Sequence, residues 1–120
     1  MIILIEDEET LAELYDIILS KIDHKVCRSL EELEQVPEQV IKDAQCVITD
    51  MYLKPGVTAL NIKDYIKDIN PTAKVLLMTG GILDPDTVKQ FDYLLLKPFP
   101  CRTLKSLCQT YINPSTPGGI

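Results

Sequence analysis

The sequence predicts a single α/β domain: a doubly wound, five-stranded parallel sheet with helices on both faces. Three observations lead to it. Five apolar runs of strand length, continuous rather than alternating, mark strands buried on both sides. Segments with apolar residues at helical spacing separate these runs, the alternation that a parallel sheet requires for its crossovers. With 120 residues and 46% hydrophobic content, the chain is long enough for one real core.

Each element has its own signal. "MIILI" (1–5) is the first strand, and "ETLAELYDIILSKI" (9–22) a helix with Leu11, Leu14, Tyr15, Ile18 and Ile22 inward. "KVCR" (25–28) is a short second strand. Ser29 and Glu32 form a capping-box pattern that starts a helix through Leu30 and Leu33, with a break at Pro37. "CVITD" (46–50) is the third strand and ends on an aspartate. After the turn "KPG" (54–56), Ala59, Ile62, Ile66 and Ile69 line one face of a helix stopped at Asn70-Pro71. "KVLLMT" (74–79) is the fourth strand, ended by Gly80-Gly81. Asp84 then offers an N-cap, with Pro85 at the first position of a helix over "DPDTVKQF" of about two turns. "YLLLK" (93–97) is the fifth strand. "TLKSLCQTYI" (103–112) is the last helix, with Leu104, Leu107, Cys108 and Tyr111 inward, and "NPSTPGGI" (113–120) reads as a flexible tail or linker after a domain of residues 1–112.

Right-handed crossovers favour a flavodoxin-like strand order, 2-1-3-4-5. In such sheets ligands bind beyond the carboxyl ends of the strands, where strands one and three diverge. Glu6 and Asp7 follow strand one, Asp50 ends strand three, Thr79 ends strand four and Lys97 ends strand five. Carboxylates gathered this closely raise one another's pKa unless a cation sits among them. Mg²⁺ is the natural ion, since it takes oxygen ligands and leaves positions for water and an incoming phosphoryl group. Lys97 can pair with a phosphoryl oxygen, the Thr79 hydroxyl can hydrogen-bond another, and Asp50 is the candidate nucleophile that becomes an acyl phosphate. Glu8 and Glu9 read as helix-start acids without a chemical role.

Composition narrows the alternatives. The net charge of -6 and pI near 4.7 argue against a nucleic-acid surface. There is no run of 18 apolar residues and no basic-then-apolar leader, so the chain reads as soluble and cytoplasmic, with no membrane partner. The four cysteines, Cys27, Cys46, Cys101 and Cys108, have no metal-binding spacing and read as reduced core residues. The only histidine, His24, falls in a turn far from the strand ends and reads as a surface residue, so a phosphodonor histidine belongs to another protein.

Taken together, "ED" at 6–7, Asp50 in "VITDMYLKPG", Thr79 in "LLMTG" and Lys97 in "LLLKPF" resemble the receiver domains of two-component response regulators, similar to the chemotaxis response regulator, over residues 1–112. The resemblance implies that Asp50 takes a phosphoryl group from a histidine kinase or histidine phosphotransfer protein, with Mg²⁺ as cofactor. It implies that the protein chiefly switches a partner or output domain, its catalysis limited to its own aspartyl phosphorylation and slow dephosphorylation. It also implies a cis Lys97-Pro98 peptide and a metal-binding backbone carbonyl at Tyr52.

The pattern departs from the family in places. Leu94 stands three residues before Lys97, where an aromatic switch residue is usual, and Tyr93 points to the opposite face. The fourth helix is short, Gly80 stands where alanine is common, and Tyr52 places a ring beside the acceptor. These features leave one alternative, a receiver-like binding module that acts without phosphorylation. A flavodoxin is disfavoured because "EDEE" would repel a flavin phosphate. An aspartate-nucleophile phosphatase is disfavoured because Tyr52 stands where its second aspartate belongs.

Overall fold

The computed structural model describes residues 1–54, 56–81 and 83–112; Pro55 of the expected turn and the expected tail 113–120 lie outside these. Strands β1 (Ile2–Ile5), β2 (His24–Cys27), β3 (Cys46–Asp50), β6 (Lys74–Thr79) and β7 (Tyr93–Leu96) form one parallel sheet in the order β2-β1-β3-β6-β7. Counting only these five, the order is the 2-1-3-4-5 that the periodicity predicts. A two-stranded hairpin, β4 (Tyr52–Lys54) and β5 (Val57–Thr58), follows β3 and is too short to carry a periodic signal.

Alternation along the strands divides the core in two. Ile3, Ile5, Val47 and Val75 face α2 (Leu30–Glu34), α3 (Glu38–Lys42) and α4 (Ala59–Ile69), packing with Leu33, Ile41, Ile62 and Ile66. Ile2, Leu4, Ile48, Leu76 and Met78 face α1 (Glu9–Ile18) and α6 (Cys101–Ile112), packing with Tyr15, Leu104 and Cys108. Both faces of the central strands are therefore dry, which is why their sequences are apolar without interruption.

Several boundaries differ from the expectation. Helix α1 ends at Ile18 rather than 22, because the chain tightens into turns over Leu19–Ile22 to return to β2, while Leu19 stays fully buried from outside the helix. Leu14 is 41% exposed at the edge of the helix, not inward. Ser29 caps α2 as expected, accepting from the Glu32 N–H, but the Glu32 carboxylate reaches back to the Arg28 N–H, one residue beyond the usual partner. Pro37 does separate two helices, α2 and α3. Helix α5 (Pro85–Val88) is a single turn, shorter still than predicted, and Asp84 caps it through its backbone carbonyl without a side-chain bond to the helix N–H groups. Cys101 is exposed at the start of α6, whereas Cys27, Cys46 and Cys108 are buried and burial pushes their thiol pKa values up. His24 is not in a turn but opens β2, with its side chain only 11% exposed; Nε2 lies 2.6 Å from Asp16 Oδ1 and Nδ1 2.7 Å from the Ile22 carbonyl. It pairs with Ile2, at the opposite end of the sheet from Asp50.

The entry to β3 is fixed by Asn70, whose buried amide donates to the carbonyls of Ile41 (2.9 Å), Lys42 (3.1 Å) and Ala44 (3.1 Å). Removing that amide leaves the buried Ile41 and Ala44 carbonyls without this donor. The expected outcome for Asn70→Ala is a loss of roughly 2–3 kcal/mol in urea unfolding; stability equal to wild type would show that these bonds do not anchor the strand.

Candidate functional site

Parallel pairing brings the functional side chains to one edge. Ile5 pairs with Thr49 and Asp50 with Met78, so the residues after β1 and the last residues of β3 and β6 share a level. Thr79 pairs with Leu96, and the Lys97 N–H donates to the Thr79 carbonyl at 2.8 Å, which delivers Lys97 to the same edge. Glu6, Asp7, Asp50, Tyr52, Thr79 and Lys97 all line one cavity of about 370 Å³. No predicted site residue lies elsewhere.

Carboxylate oxygens of Glu6, Asp7 and Asp50 lie within 4.8 Å of one another. Lys97 Nζ contacts Asp50 Oδ1 closely and lies 3.5 Å from Glu6 Oε1. Glu6 is 1% exposed; its Oε2 accepts from the Glu8 N–H at 3.2 Å, while Oε1 is buried with no hydrogen bond. Burial, reinforced by a shared hydrogen bond with Asp50 and repulsion from it, raises the Glu6 pKa to about 7. Lys97 is disfavoured as a cation by burial, but its bond and attraction to Asp50, with help from Glu6, outweigh this and hold its pKa above the ordinary lysine value. A buried Glu6 oxygen with no hydrogen bond among the described residues, approached by Lys97 only at 3.5 Å, and three carboxylates in reach of one point fit a hard divalent cation.

The remaining groups are set by local structure. Thr79 is 7% exposed and its Oγ1 accepts from the Gly81 N–H at 3.2 Å, leaving its proton free to donate into the cavity. A Cβ on Gly80 would meet Lys97 Cβ at 3.6 Å and the Lys97 carbonyl oxygen at 3.9 Å, both ordinary contacts, so alanine would fit there. The Tyr52 ring is 72% exposed at the cavity mouth. The Lys97-Pro98 peptide is cis. Glu8 caps α1, accepting from the Thr10 and Leu11 N–H groups, and stays out of the acidic cluster. Leu94 is half-buried against Met51, Ala59 and Leu77, whereas Tyr93 turns toward α6 beside Arg102 and Ser106. The strand therefore alternates without a bulge, and Leu94 is a packed residue.

Sequence reasoning missed Arg28. It follows β2 at the same edge, and its Nη2 donates to the Asp7 carbonyl at 3.5 Å. The available signal was its position as the last residue of the expected strand "KVCR", which the 2-1-3-4-5 order sets beside β1; the observed strand ends one residue earlier, at Cys27.

Comparison with solved structures places the fold. A two-component response regulator from Clostridium difficile superposes with a TM-score of 0.77 at 15% identity, covering 97% of this chain and 98% of that one. A response regulator receiver domain from Clostridium thermocellum gives 0.77 at 25% identity, covering 95% and 94%. A response regulator from Burkholderia pseudomallei, solved with a phosphorylated aspartic acid, calcium ion and citrate, gives 0.67 at 18% identity, covering 97% and 74%. No protein-family model and no curated protein matches the sequence. The chain has the flavodoxin-like fold of response regulator receiver domains. Among the described residues, no helix is long and apolar enough to cross a membrane.

The raised Glu6 pKa has a sign that can be measured. Its folded value, about 7, lies above the ordinary glutamate value of about 4.5, so the metal-free fold holds the proton more tightly than the unfolded chain does. The stability this contributes is fully present below the unfolded value and is lost as pH rises through the folded one. In EDTA, the unfolding free energy of the wild type relative to Glu6→Gln is expected to fall across that interval; parallel pH profiles for the two proteins would contradict the assignment.

Proposed function

We propose that residues 1–112 act as a phosphoacceptor receiver domain, with Asp50 as the acceptor and a phosphohistidine on a histidine kinase or histidine phosphotransfer protein as the donor. The observation that carries this reading is the meeting of three carboxylates within 4.8 Å of one another, with Lys97 bonded to one of them. An Asp50 carboxylate oxygen attacks phosphorus, the P–N bond to the donor imidazole breaks, and an aspartyl phosphate forms while the imidazole leaves with the bonding pair. Glu6, Asp7, Asp50 and the Tyr52 carbonyl would hold Mg²⁺, which when bound neutralises charge on the phosphoryl oxygens. Lys97 balances one phosphoryl oxygen, exchanging part of its contact with Asp50 for it. The Thr79 hydroxyl donates to another, and Gly80, lacking a side chain, leaves the approach open.

The signal then travels by a population shift. Drawing Thr79 toward the phosphoryl group biases the β6–α5 loop, and with it the face formed by β7, α5 and α6 that a target protein or output domain would read. Leu94, packed rather than swinging, and the one-turn α5 imply that this readout differs in detail from one built on an aromatic switch. The cavity is solvent-open at Tyr52, so the ring is the natural shield of the acyl phosphate against water. We assign the protein to a cytoplasmic two-component pathway on the same grounds.

Intact mass after incubation with acetyl phosphate tests the core of this reading. A Mg²⁺-dependent gain of one phosphoryl group, absent in Asp50→Asn, is the expected result. No gain under conditions where Mg²⁺ binds would instead favour a binding module that works without phosphorylation. For Tyr52→Ala, the phosphorylated form is expected to lose phosphate several-fold faster than wild type; an unchanged lifetime would remove the ring from the mechanism.

A further inference from the structure

The acidic loop after β1 meets a cation on each flank. Lys97 reaches it from the β7 side and is engaged by Asp50 and Glu6. Asp7 has no ion pair among the described residues, and its neighbour is Arg28 on the β2 side. The register explains why: Ile5 pairs with Cys27, and the Glu6 N–H continues the ladder to the Cys27 carbonyl at 3.0 Å, so residue 28 runs beside residues 6 and 7.

Arg28 is held there from two directions. Its backbone N–H donates to Glu32 Oε1 at 3.1 Å, tying it to the capped start of α2. Its side chain is partly buried, with Nη2 donating to the Asp7 carbonyl at 3.5 Å and Nε fully buried without a hydrogen bond. A guanidinium loses favourable hydration on burial, so a side chain lying along this loop rather than in open water needs a compensating role.

We infer that Arg28 is a positioning residue for the divalent cation: by holding the Asp7 carbonyl against the end of β2, it fixes the loop so that the Asp7 carboxylate meets Glu6 and Asp50. The inference rests on the acid trio being a Mg²⁺ site. It makes a choice of sign. A guanidinium that acted only as a nearby positive charge would repel the incoming ion, and its removal would tighten binding. A guanidinium that orders the ligand loop supports binding, and its removal weakens it, as loss of groups that orient metal ligands does.

Calorimetric titration of the full chain with Mg²⁺ separates these roles, with unfolding in EDTA confirming that each variant is folded. Arg28→Ala is expected to raise the Mg²⁺ Kd about tenfold. Arg28→Lys should recover part of this, since its ammonium can still donate to the carbonyl. Unchanged or tighter Mg²⁺ binding by folded Arg28→Ala overturns the inference. Should Arg28→Ala fail to fold, Arg28→Met, which keeps the apolar stem and removes the donors, carries the same two outcomes. A wild-type chain that binds no Mg²⁺ overturns the functional reading itself, whereas wild-type binding with an unaffected variant overturns only the role of Arg28.

Discussion

Like charges crowded at the end of a dry sheet are the constraint on which this molecule turns. Glu6 and Asp50 sit where the strands are buried on both faces, and Asp7 stands beside them, so water screens their repulsion poorly. Without compensation the loop would splay or its carboxyls would take up protons. Lys97 supplies the internal compensation, contacting Asp50 and Glu6 together, and the Glu8 N–H supplies a smaller share to Glu6. The compensation is incomplete: among the described residues, the buried Glu6 Oε1 has only the 3.5 Å approach of Lys97 and no hydrogen bond. That deficit makes the site receptive to a further cation.

The rest of the fold serves to keep this edge level. Register between β1, β3, β6 and β7 decides whether the four contributing strands end together, and a slip of one residue in any of them would turn its terminal side chain to the other face. The anchors against such a slip lie at the opposite end, in the Asn70 amide that gathers the carbonyls before β3 and in Asp92. Its carboxylate accepts from the Val75 N–H at 2.8 Å while its own N–H donates to the Val75 carbonyl at 2.8 Å. Chemistry at one edge thus depends on hydrogen bonds at the other.

Much of this was legible in the sequence, because a strand buried on both faces leaves an unmistakable apolar run and each such run here ends next to a polar group. Glu6, Asp7, Asp50, Thr79 and Lys97 could be grouped before any coordinates were known. What was not legible has physical reasons. Ile22 continues the apolar spacing of α1 but packs against the core from the turns after Ile18, so periodicity ran past the true end of the helix. The β4–β5 hairpin is too short for any period. Cys101 occupies a helix position whose burial depends on the groove between α1 and the segment after β7, which spacing alone does not reveal. Arg28 meets Asp7 only through the pairing of β1 with β2, a relation between strands rather than along one.

The cavity draws on β1, β3, β6 and β7, elements spread from the beginning of the described chain almost to its end. Contacts so distant in sequence close late, after the chain entropy of every intervening crossover has been lost. During synthesis Lys97 leaves the ribosome after nearly everything else in the sheet, and until it arrives the acids have no cation bonded to them from within the sheet. A nascent or truncated chain can therefore assemble most of the sheet while its acidic edge still lacks the lysine that balances it.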